Sequence, residues 1–385
     1  MNIKEVSANI VLDSRGEETI RVVVNGCATS APAGKSKGKH EKPSYKKSLK
    51  TDCEVIKHLK IDNLDLRKFE HLQFVEDKVK KNVGANTLFA LEASILKALA
   101  QEKGIELWKF LNPDAKNFPR IISNTIGGGA HSHGKINPDF QEFLVTCNKN
   151  PAIARVVNKN CHSEAEAILK GLTLRELRVN DENAWQTDLD NERVIEVMKE
   201  VSEDVFEETG IHVDVGLDIA ASQFFKKNKY VYMNRNWART RQEQIDYIAN
   251  LCEKYNLFYI EDPLDEEDFE GFAELVRKVH CLVVGDDLTT TNFERTKKAI
   301  EMNAITGIII KPNQIGSLLE VKKIIDLCKK RGVRTIISHR SGETLDDTIA
   351  DLGFAWQVDF IKTPVVGPER IAKVNRLIEI EKSIK

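Results

Sequence analysis

Hydrophobic and polar residues alternate near the amino terminus and then repeat with a helical period. The segments NIVLD and ETIRVVV flank the turn SRGE, and β-branched residues dominate the second segment. This pattern predicts a β-hairpin within residues 1–24. Apolar residues then recur every three or four positions between residues 88 and 99. We predict a helix there that begins at Asn86, as its N-cap, and ends at Gly104.

After residue 120 short apolar segments alternate with amphipathic ones. The segment SLLEVKKIIDLCKKRG at 317–332, for example, predicts a helix that ends in a basic turn and a glycine. Continuous apolar strands that alternate with helices indicate a parallel sheet buried on both faces, and a closed barrel is the predicted form. The clearest predicted strands are LFYIED (257–262), LVVGDD (282–287), GIIIK (307–311), TIISHR (335–340) and FIKT (360–363).

A domain boundary is predicted in the segment LNPDAKNFPR, at 111–120, which has two prolines and few residues to bury. The predicted fold class is α/β. We expect a (β/α)8-type barrel at residues 116–385 and a smaller α+β domain at residues 1–115.

Composition restricts the class of protein. The chain has 385 residues, of which 41% are hydrophobic and 30% charged, without a run of eighteen apolar residues that could span a membrane. Lys4, Glu5 and Asp13 interrupt the region where a signal peptide would need an apolar core. Seven cysteines without a Cys-x-x-Cys pair fit reduced thiols better than a zinc site. We therefore expect a cytoplasmic protein, and the net charge of −2 gives no global attraction to nucleic acid.

Seven lysines lie between residues 34 and 50 among glycines and serines. This composition predicts an exposed, mobile loop. Its run Gly34-Lys35-Ser36 does not form a nucleotide-binding loop, because that motif needs a glycine five residues before Gly34 and residue 29 is threonine.

Ionisable residues stand at the carboxyl ends of the predicted strands. Glu261, Asp286, Lys311, His339 and Lys362 are 25, 25, 28 and 23 residues apart, about the length of one βα unit. In a barrel the carboxyl ends of the strands meet on one face, where active sites are built. We therefore expect all five side chains in one cleft.

Three carboxylates at such strand ends indicate a metal site. Asp218, Glu261 and Asp286 offer hard oxygen ligands without histidine or cysteine, a set that Mg²⁺ prefers and that disfavours zinc. Asp262 and Asp287 are interpreted as structural or supporting residues, because neighbouring side chains on a strand point in opposite directions.

Lys311 has two interpretations. A magnesium ion and burial would both depress its pKa, so that the neutral amine could act as a base. Alternatively, Lys311 is an ion-pair partner of the carboxylates.

An ordered series of short motifs over nearly the whole chain resembles the enolase family, the phosphopyruvate hydratases. The resemblance implies an α/β barrel enzyme, a hydro-lyase that reversibly dehydrates 2-phosphoglycerate to phosphoenolpyruvate in glycolysis and gluconeogenesis, with Mg²⁺ as cofactor. It also implies a homodimer or larger homo-oligomer. The motifs are GGAH (128–131), QEF (141–143), DIAAS, IEDP, VGDDLT, NQIGS, SHRSGET and the tail ERIAKVNRLIEIE.

The same resemblance implies a role for each matching residue. Lys311 would remove the proton alpha to the substrate carboxylate, and Glu182 would protonate the departing hydroxyl. Glu142 would support Glu182 or its water, and His339 would line the site. Asp218, Glu261 and Asp286 would hold the first magnesium ion. The implied substrate-binding residues are His131, Glu142, Glu261, Asp286, Arg340, Ser341 and Lys362, with Arg340 and Ser341 on the phosphate.

The lysine-rich segment resembles the lid of the family at residues 33–38. Ser36 matches the serine that closes over the second magnesium ion and the phosphate, and flanking glycines would supply the hinge. Lys35 and Lys37 depart from the family pattern; they would either steer an anionic substrate or keep an exposed loop in solution.

Other positions also depart from the pattern of the family. Gly127 stands where asparagine is usual, Asn183 and Ala184 replace glycines, and Pro312 replaces the residue after the lysine. The amino-terminal domain is slightly short, and His133 has no counterpart, unlike the neighbouring His131. These departures leave the implied catalytic groups in place.

Two alternatives stay open. An enzyme of the same barrel type could dehydrate a different carboxylate, since a fold does not determine a substrate. A non-catalytic paralogue could instead serve in binding, with its lysine cluster on nucleic acid. The complete set of implied catalytic groups argues against the second alternative.

Overall fold

The amino-terminal part of the chain is a three-stranded antiparallel sheet covered by helices. The computed structural model describes residues 1, 3–35, 38–61, 64–131, 137–173 and 176–384, with the backbone alone at His131. The predicted hairpin is confirmed, because the first two strands pair antiparallel with Leu12 opposite Glu18. The elements are β1 (Val6–Leu12), β2 (Glu18–Val24), β3 (Cys27–Ser30), α1 (Leu49–Lys57), α2 (Leu72–Val79), α3 (Ala85–Glu102) and α4 (Leu107–Leu111).

The long helix α3 begins earlier than predicted. Its N-cap is Gly84, not Asn86, and the carboxylate of Asp52 accepts hydrogen bonds from the Gly84 backbone and the Thr87 hydroxyl, both at 2.7 Å. Asn86 instead accepts a hydrogen bond from the side chain of Asn313 at 2.9 Å. The predicted cap was wrong because a carboxylate from another helix occupies the helix terminus, which frees Asn86 for a tertiary contact.

Eight strands form a closed ring in the rest of the chain. They are β4, β5, β7, β11, β12, β13, β14 and β15, and the ring closes where the last strand pairs with β4. Every strand predicted in this region is present. The strands are β4 (Arg120–Gly127), β5 (Glu142–Thr146), β6 (Trp185–Gln186), β7 (Asp214–Asp218), β8 (Phe225–Lys226), β9 (Lys229–Tyr232), β10 (Trp237–Arg239), β11 (Tyr259–Glu261), β12 (Leu282–Gly285), β13 (Gly307–Ile310), β14 (Arg334–Ser338) and β15 (Phe360–Lys362).

The expectation of a wholly parallel sheet was wrong for one strand. β5 pairs antiparallel with both of its neighbours, β4 and β7. No α-helix separates β4 from β5 among the described residues, whereas a parallel neighbour needs a crossover of about a dozen residues or more, usually helical.

Helices surround the ring. The predicted helix at 317–332 is α11, which the side chain of Ser317 caps by accepting from the backbone of Glu320. Among the described residues no helix combines the length and the apolar character that crossing a membrane would require. The domain boundary at 115/116 falls between α4 and β4 and stays a prediction. The helices are α5 (Pro151–Leu172), α6 (Asn191–Thr209), α7 (Arg241–Tyr255), α8 (Phe269–Lys278), α9 (Phe293–Glu301), α10 (Pro312–Ile315), α11 (Leu318–Lys330), α12 (Thr348–Ala355) and α13 (Pro368–Ile384).

Buried carboxyl groups join the amino-terminal helices to the barrel at the start of α11. Glu92 of α3 accepts the backbone N–H of Leu318 at 2.7 Å, and Glu76 of α2 accepts the hydroxyl of Ser317. Glu92 is fully buried. Burial and the neighbouring charge of Glu76 raise the pKa of Glu92 well above its usual value.

This junction should be sensitive to alkali. A carboxyl group whose pKa is higher in the folded than in the unfolded state contributes stability below its unfolded pKa of about 4.3, and that contribution is lost as the pH rises toward the folded value. Glu92→Gln keeps a neutral acceptor for Leu318. The variant should therefore gain stability relative to the wild type as the pH rises from about 4 to about 8 in urea unfolding.

The exposed Glu70 provides the matched control. Glu70→Gln should show no such trend with pH. A difference between Glu92→Gln and the wild type that stays constant over the whole pH range would contradict the assignment of a neutral Glu92.

Candidate active site

The ionisable residues predicted at strand ends meet at one end of the barrel. Asp218, Glu261 and Lys362 are the last residues of their strands, and Lys311 and His339 directly follow theirs. Parallel pairing of these strands brings their carboxyl ends to one face. A single pocket there is lined by Glu142, Glu182, Asp218, Asp286, Lys311, His339, Arg340, Ser341 and Lys362, among others.

Lys362 lies among three buried carboxylates. Its Nζ is 2.8 Å from Glu142, 2.9 Å from Asp218 and 2.8 Å from Glu261. Burial lowers the pKa of Lys362, but the carboxylates outweigh it and raise that pKa well above its usual value. Burial and the charge of Asp218 also raise the pKa of Glu261. The ammonium group therefore neutralises a cluster that would otherwise repel itself.

Lys311 forms a buried ion pair with Asp286. Burial lowers the pKa of Lys311, yet the attraction of Asp286 outweighs it, so that the pKa is raised. The expected depression of the pKa of Lys311 depends on a nearby magnesium ion and stays a prediction. The alternative interpretation, Lys311 as an ion-pair partner of a carboxylate, describes the structure.

Asp286 also lies in an acidic cluster with Asp262 and Asp287, whose carboxylate oxygens are within 4.8 Å of one another. Asp262 accepts the backbone N–H groups of both other residues, at 3.1 and 2.7 Å, which agrees with its structural interpretation. Burial and Asp286 raise the pKa of Asp287 to about 8.

One oxygen of this region is suited to a cation. Among the described residues, Oδ1 of Asp286 is buried and has no hydrogen-bond partner, and buried carboxylate oxygens require a partner. Both oxygens of Asp262 accept backbone N–H groups, and both oxygens of Glu261 accept from Lys362. Asp218 and Glu261 as fellow ligands of Asp286 therefore stay a prediction. The three candidate ligands provide only oxygen atoms, as magnesium prefers.

Glu182 also lines the pocket, and it lies in the loop before β6. It is 2% exposed, with Oε2 at 3.5 Å from Nδ2 of Asn124 and 3.9 Å from Nε2 of His339. Burial, together with the positive charges of Arg370 and Lys362, holds the pKa of His339 well below its usual value. The imidazole is therefore neutral beside Glu182.

Arg340 and Ser341 join the pocket to the lysine-rich segment. Arg340 donates to both carboxylate oxygens of Glu41, at 3.0 and 3.1 Å, and to Asn313 at 3.2 Å. The hydroxyl of Ser341 accepts the backbone N–H of Lys35 at 2.7 Å. The sequence interpretation missed Glu41, since nothing in a stretch of lysines indicates a buried acid whose partner is 299 residues away.

The predicted exposed loop is therefore only partly exposed, because Glu41 is buried against Arg340. Lys35 lies 3.5 Å from Asp181, and Lys39 lies 3.0 Å from Glu266. These lysines thus pair with acidic residues at the rim of the pocket. Ser36, Lys37 and His133, and the side chain of His131, lie outside the described residues.

The residues near the pocket that depart from the expected family pattern fit the backbone conformation at their positions. Asn183 has a φ of 64°, in the left-handed region that asparagine tolerates better than most residues. Ala184 is fully buried and has no positive φ. Pro312 occupies the first turn of α10, where its ring is favourable.

Removal of the ammonium group from the cluster should destabilise the protein. Lys362→Met leaves Asp218, Glu261 and Glu142 without their cation, and loss of one partner from a buried ion cluster costs about 3–5 kcal/mol. We expect this loss in urea unfolding at neutral pH without added metal, and a smaller loss at pH about 5, where carboxylates begin to protonate.

Lys323 of α11 is exposed and provides the control. Lys323→Met should change stability by less than about 0.5 kcal/mol at either pH. If Lys362→Met were as stable as this control, the cluster would not need the ammonium group.

Known proteins match the chain over almost its whole length. A family model described as Enolase, C-terminal TIM barrel domain, matches residues 115–385. The enolase of Methanosphaera stadtmanae is 39% identical over 99% of this chain and 97% of its own length. Those of Picrophilus torridus and Archaeoglobus fulgidus are each 37% identical over 99% of this chain, covering 99% and 97% of their own lengths. With this similarity and with the closed barrel on which the pocket is built, the chain belongs to the enolase family.

Proposed function

We propose that the protein is a phosphopyruvate hydratase that reversibly converts 2-phosphoglycerate into phosphoenolpyruvate and water. The observation that carries the proposal is one pocket lined by Lys311, Glu182, Asp218 and Asp286. Glu261 is buried behind this lining, 2.8 Å from Nζ of Lys362. Membership of the enolase family supports the same reaction.

The proposed reaction removes two groups from neighbouring carbon atoms. A cation at Asp286 would relieve the attraction that raises the pKa of Lys311. The neutral amine of Lys311 then takes the proton from the carbon alpha to the substrate carboxylate. The hydroxyl on the next carbon leaves with a proton from Glu182, and a double bond forms between the two carbons. A base and an acid are both required, because hydroxide is a poor leaving group and the alpha proton is only weakly acidic.

Asp218, Glu261 and Asp286 are the proposed magnesium ligands. Bound there, Mg²⁺ would supply Lewis-acid stabilisation of the negative charge that develops on the substrate carboxylate. The unpartnered Oδ1 of Asp286 supports Asp286 as one of these ligands. Nζ of Lys362 lies within 3 Å of a carboxylate oxygen of Glu142, Asp218 and Glu261. We propose that this ammonium group faces the substrate carboxylate.

Arg340 and Ser341 are proposed to bind the phosphate. Arg340 is 4% exposed and already holds the carboxylate of Glu41 through one end of its guanidinium, a geometry that suits an oxyanion. A phosphate would therefore compete with Glu41 or share the guanidinium with it. We propose that Ser36 of the lid closes over this phosphate and a second magnesium ion.

The remaining proposals concern the setting of the enzyme. We propose a role in glycolysis and gluconeogenesis in the cytoplasm, and the seven free cysteines support a reducing compartment. A homodimer or larger homo-oligomer is also proposed. The edge strand β1 supports it, since Leu12 and Ile10 expose apolar side chains there.

Lys311→Ala tests the proposed base. The variant should form phosphoenolpyruvate at least about 10³-fold more slowly than the wild type, because no other base replaces the amine. The enol absorbance of phosphoenolpyruvate measures this rate. Circular dichroism should show an unchanged fold. Lys323→Ala, an exposed change, should retain full activity. Undiminished turnover by Lys311→Ala would exclude Lys311 as the base.

Removal of metal tests the proposed ligands. A chelator should abolish turnover of 2-phosphoglycerate in a coupled assay, and excess Mg²⁺ should restore it. Magnesium at 100 times its dissociation constant should also stabilise the protein by about 2.7 kcal/mol in thermal unfolding. Asp286→Asn should need more Mg²⁺ for both effects, whereas the exposed Asp77→Asn should behave as the wild type.

The same experiment separates the alternatives. Stabilisation by Mg²⁺ without turnover of 2-phosphoglycerate would favour an enzyme that dehydrates another carboxylate. Neither stabilisation nor turnover would favour a non-catalytic binding protein.

A further inference from the structure

Glu182 belongs to a short turn, residues 180–184, that Asn180 holds together by four hydrogen bonds. The backbone N–H of Asn180 donates to the Ala184 carbonyl at 2.9 Å, and its carbonyl accepts from Asn183 at 3.0 Å. Its side-chain Oδ1 accepts the backbone N–H groups of Glu182 at 2.9 Å and Ala184 at 3.0 Å. One side-chain oxygen therefore bridges the two ends of the turn, as asparagine does in many turns.

The turn is closed off from solvent. Asn180 is 6% exposed, Glu182 2% and Ala184 0%. Without the carboxamide oxygen, the buried N–H groups of Glu182 and Ala184 would lose their acceptor, which is unfavourable away from water. The turn would then relax toward other acceptors, and the backbone that carries Glu182 would move.

Asn180 also explains the glycine at position 127. A Cβ atom at Gly127 would lie 2.2 Å from Nδ2 of Asn180, closer than any real contact. Gly127 has no positive φ, so backbone freedom does not require a glycine there. The position instead leaves room for the carboxamide of Asn180, which lies against β4, the strand that also carries Asn124 beside Glu182.

The two positions are thus coupled in space. An asparagine side chain built at position 127 would enter the volume that the carboxamide of Asn180 fills. This chain places a carboxamide in the same volume from a different segment, the loop that carries the proposed acid.

We infer that Asn180 is a positioning residue for Glu182, and that its carboxamide occupies the space that a side chain at position 127 would need. The inference rests on the proposed function of Glu182 as the acid. Asn180 acts through the backbone of Glu182 and does not itself contact the reacting atoms.

Asn180→Ala is the first test. A displaced acid should slow loss of the hydroxyl, so kcat for dehydration should fall about 10- to 100-fold, since displacements of about 1 Å can cost 10²-fold. KM should change by less than about 3-fold, because Arg340, Ser341 and Lys362 are untouched. Exchange of the alpha proton of 2-phosphoglycerate with deuterated water should continue, because Lys311 performs that step.

The reciprocal exchange of the two residues is the second test. Gly127→Asn alone should impair kcat, since its side chain collides with Asn180, and Asn180→Gly alone should impair kcat through loss of the bridge. The double variant Gly127→Asn/Asn180→Gly should recover most of the lost kcat, which two independent defects would not do. If the fold-reduction in kcat of the double variant equalled the product of the fold-reductions of the two single variants, the inference would be overturned.

A measurement on the protein without substrate, amide hydrogen exchange, supplements the kcat values. Amide hydrogen exchange of the peptide that contains Glu182 and Ala184 should be faster in Asn180→Ala than in the wild type, and slow again in the double variant. Asn158, a fully buried asparagine that donates to Ile121 and Ser123, provides the matched control. Asn158→Ala should lose stability but keep both kcat and slow exchange at Glu182.

The failure of this inference differs from failure of the proposed function. If the wild type neither dehydrates 2-phosphoglycerate nor exchanges its alpha proton, the proposed function is wrong. If the wild type does both, and Asn180→Ala either keeps full kcat or loses dehydration and proton exchange equally, Asn180 does not position the acid.

Discussion

The ammonium group of Lys362 is the interaction on which the pocket depends. Closure of the barrel brings Asp218, Glu261 and Glu142 together where water cannot screen them, and three buried carboxylates need a cation. Lys362 is the last residue of β15, the strand that pairs with β4 and closes the ring. The strand that completes the barrel, β15, thus also supplies the positive charge that stabilises the carboxylates at one end of the barrel.

The amino-terminal part completes the pocket from outside the barrel. Glu41 binds Arg340, and the backbone of Lys35 binds Ser341. The same two parts of the chain also meet around α11, where Glu76 and Glu92 accept hydrogen bonds from Ser317 and Leu318. The contacts at the pocket and those around α11 both join the amino-terminal part of the chain to the barrel. Together they hold the described residues of the lysine-rich segment beside the pocket.

The asparagines and the glycine around Glu182 depend on one another. Asn183 adopts the left-handed conformation for which glycine is usual, and Asn180 fills the space left above Gly127. A buried turn can change its residues without losing its shape when hydrogen-bond acceptors and volume are both conserved. The proposed acid is therefore held in a loop whose shape Asn180 and Asn183 determine.

The sequence alone determined which residues end the strands. Apolar runs mark the strands because both sheet faces are buried, and the regular spacing of Glu261, Asp286, Lys311, His339 and Lys362 reflects one βα unit between strand ends. Only the tertiary structure decided the direction of β5, the cap of α3, the burial of Glu41, the ion pair of Lys311 and the bridge of Asn180. Each of these features depends on contacts between residues that are distant in sequence or that compete for one acceptor. Local propensity contains no information about which of the possible contacts forms.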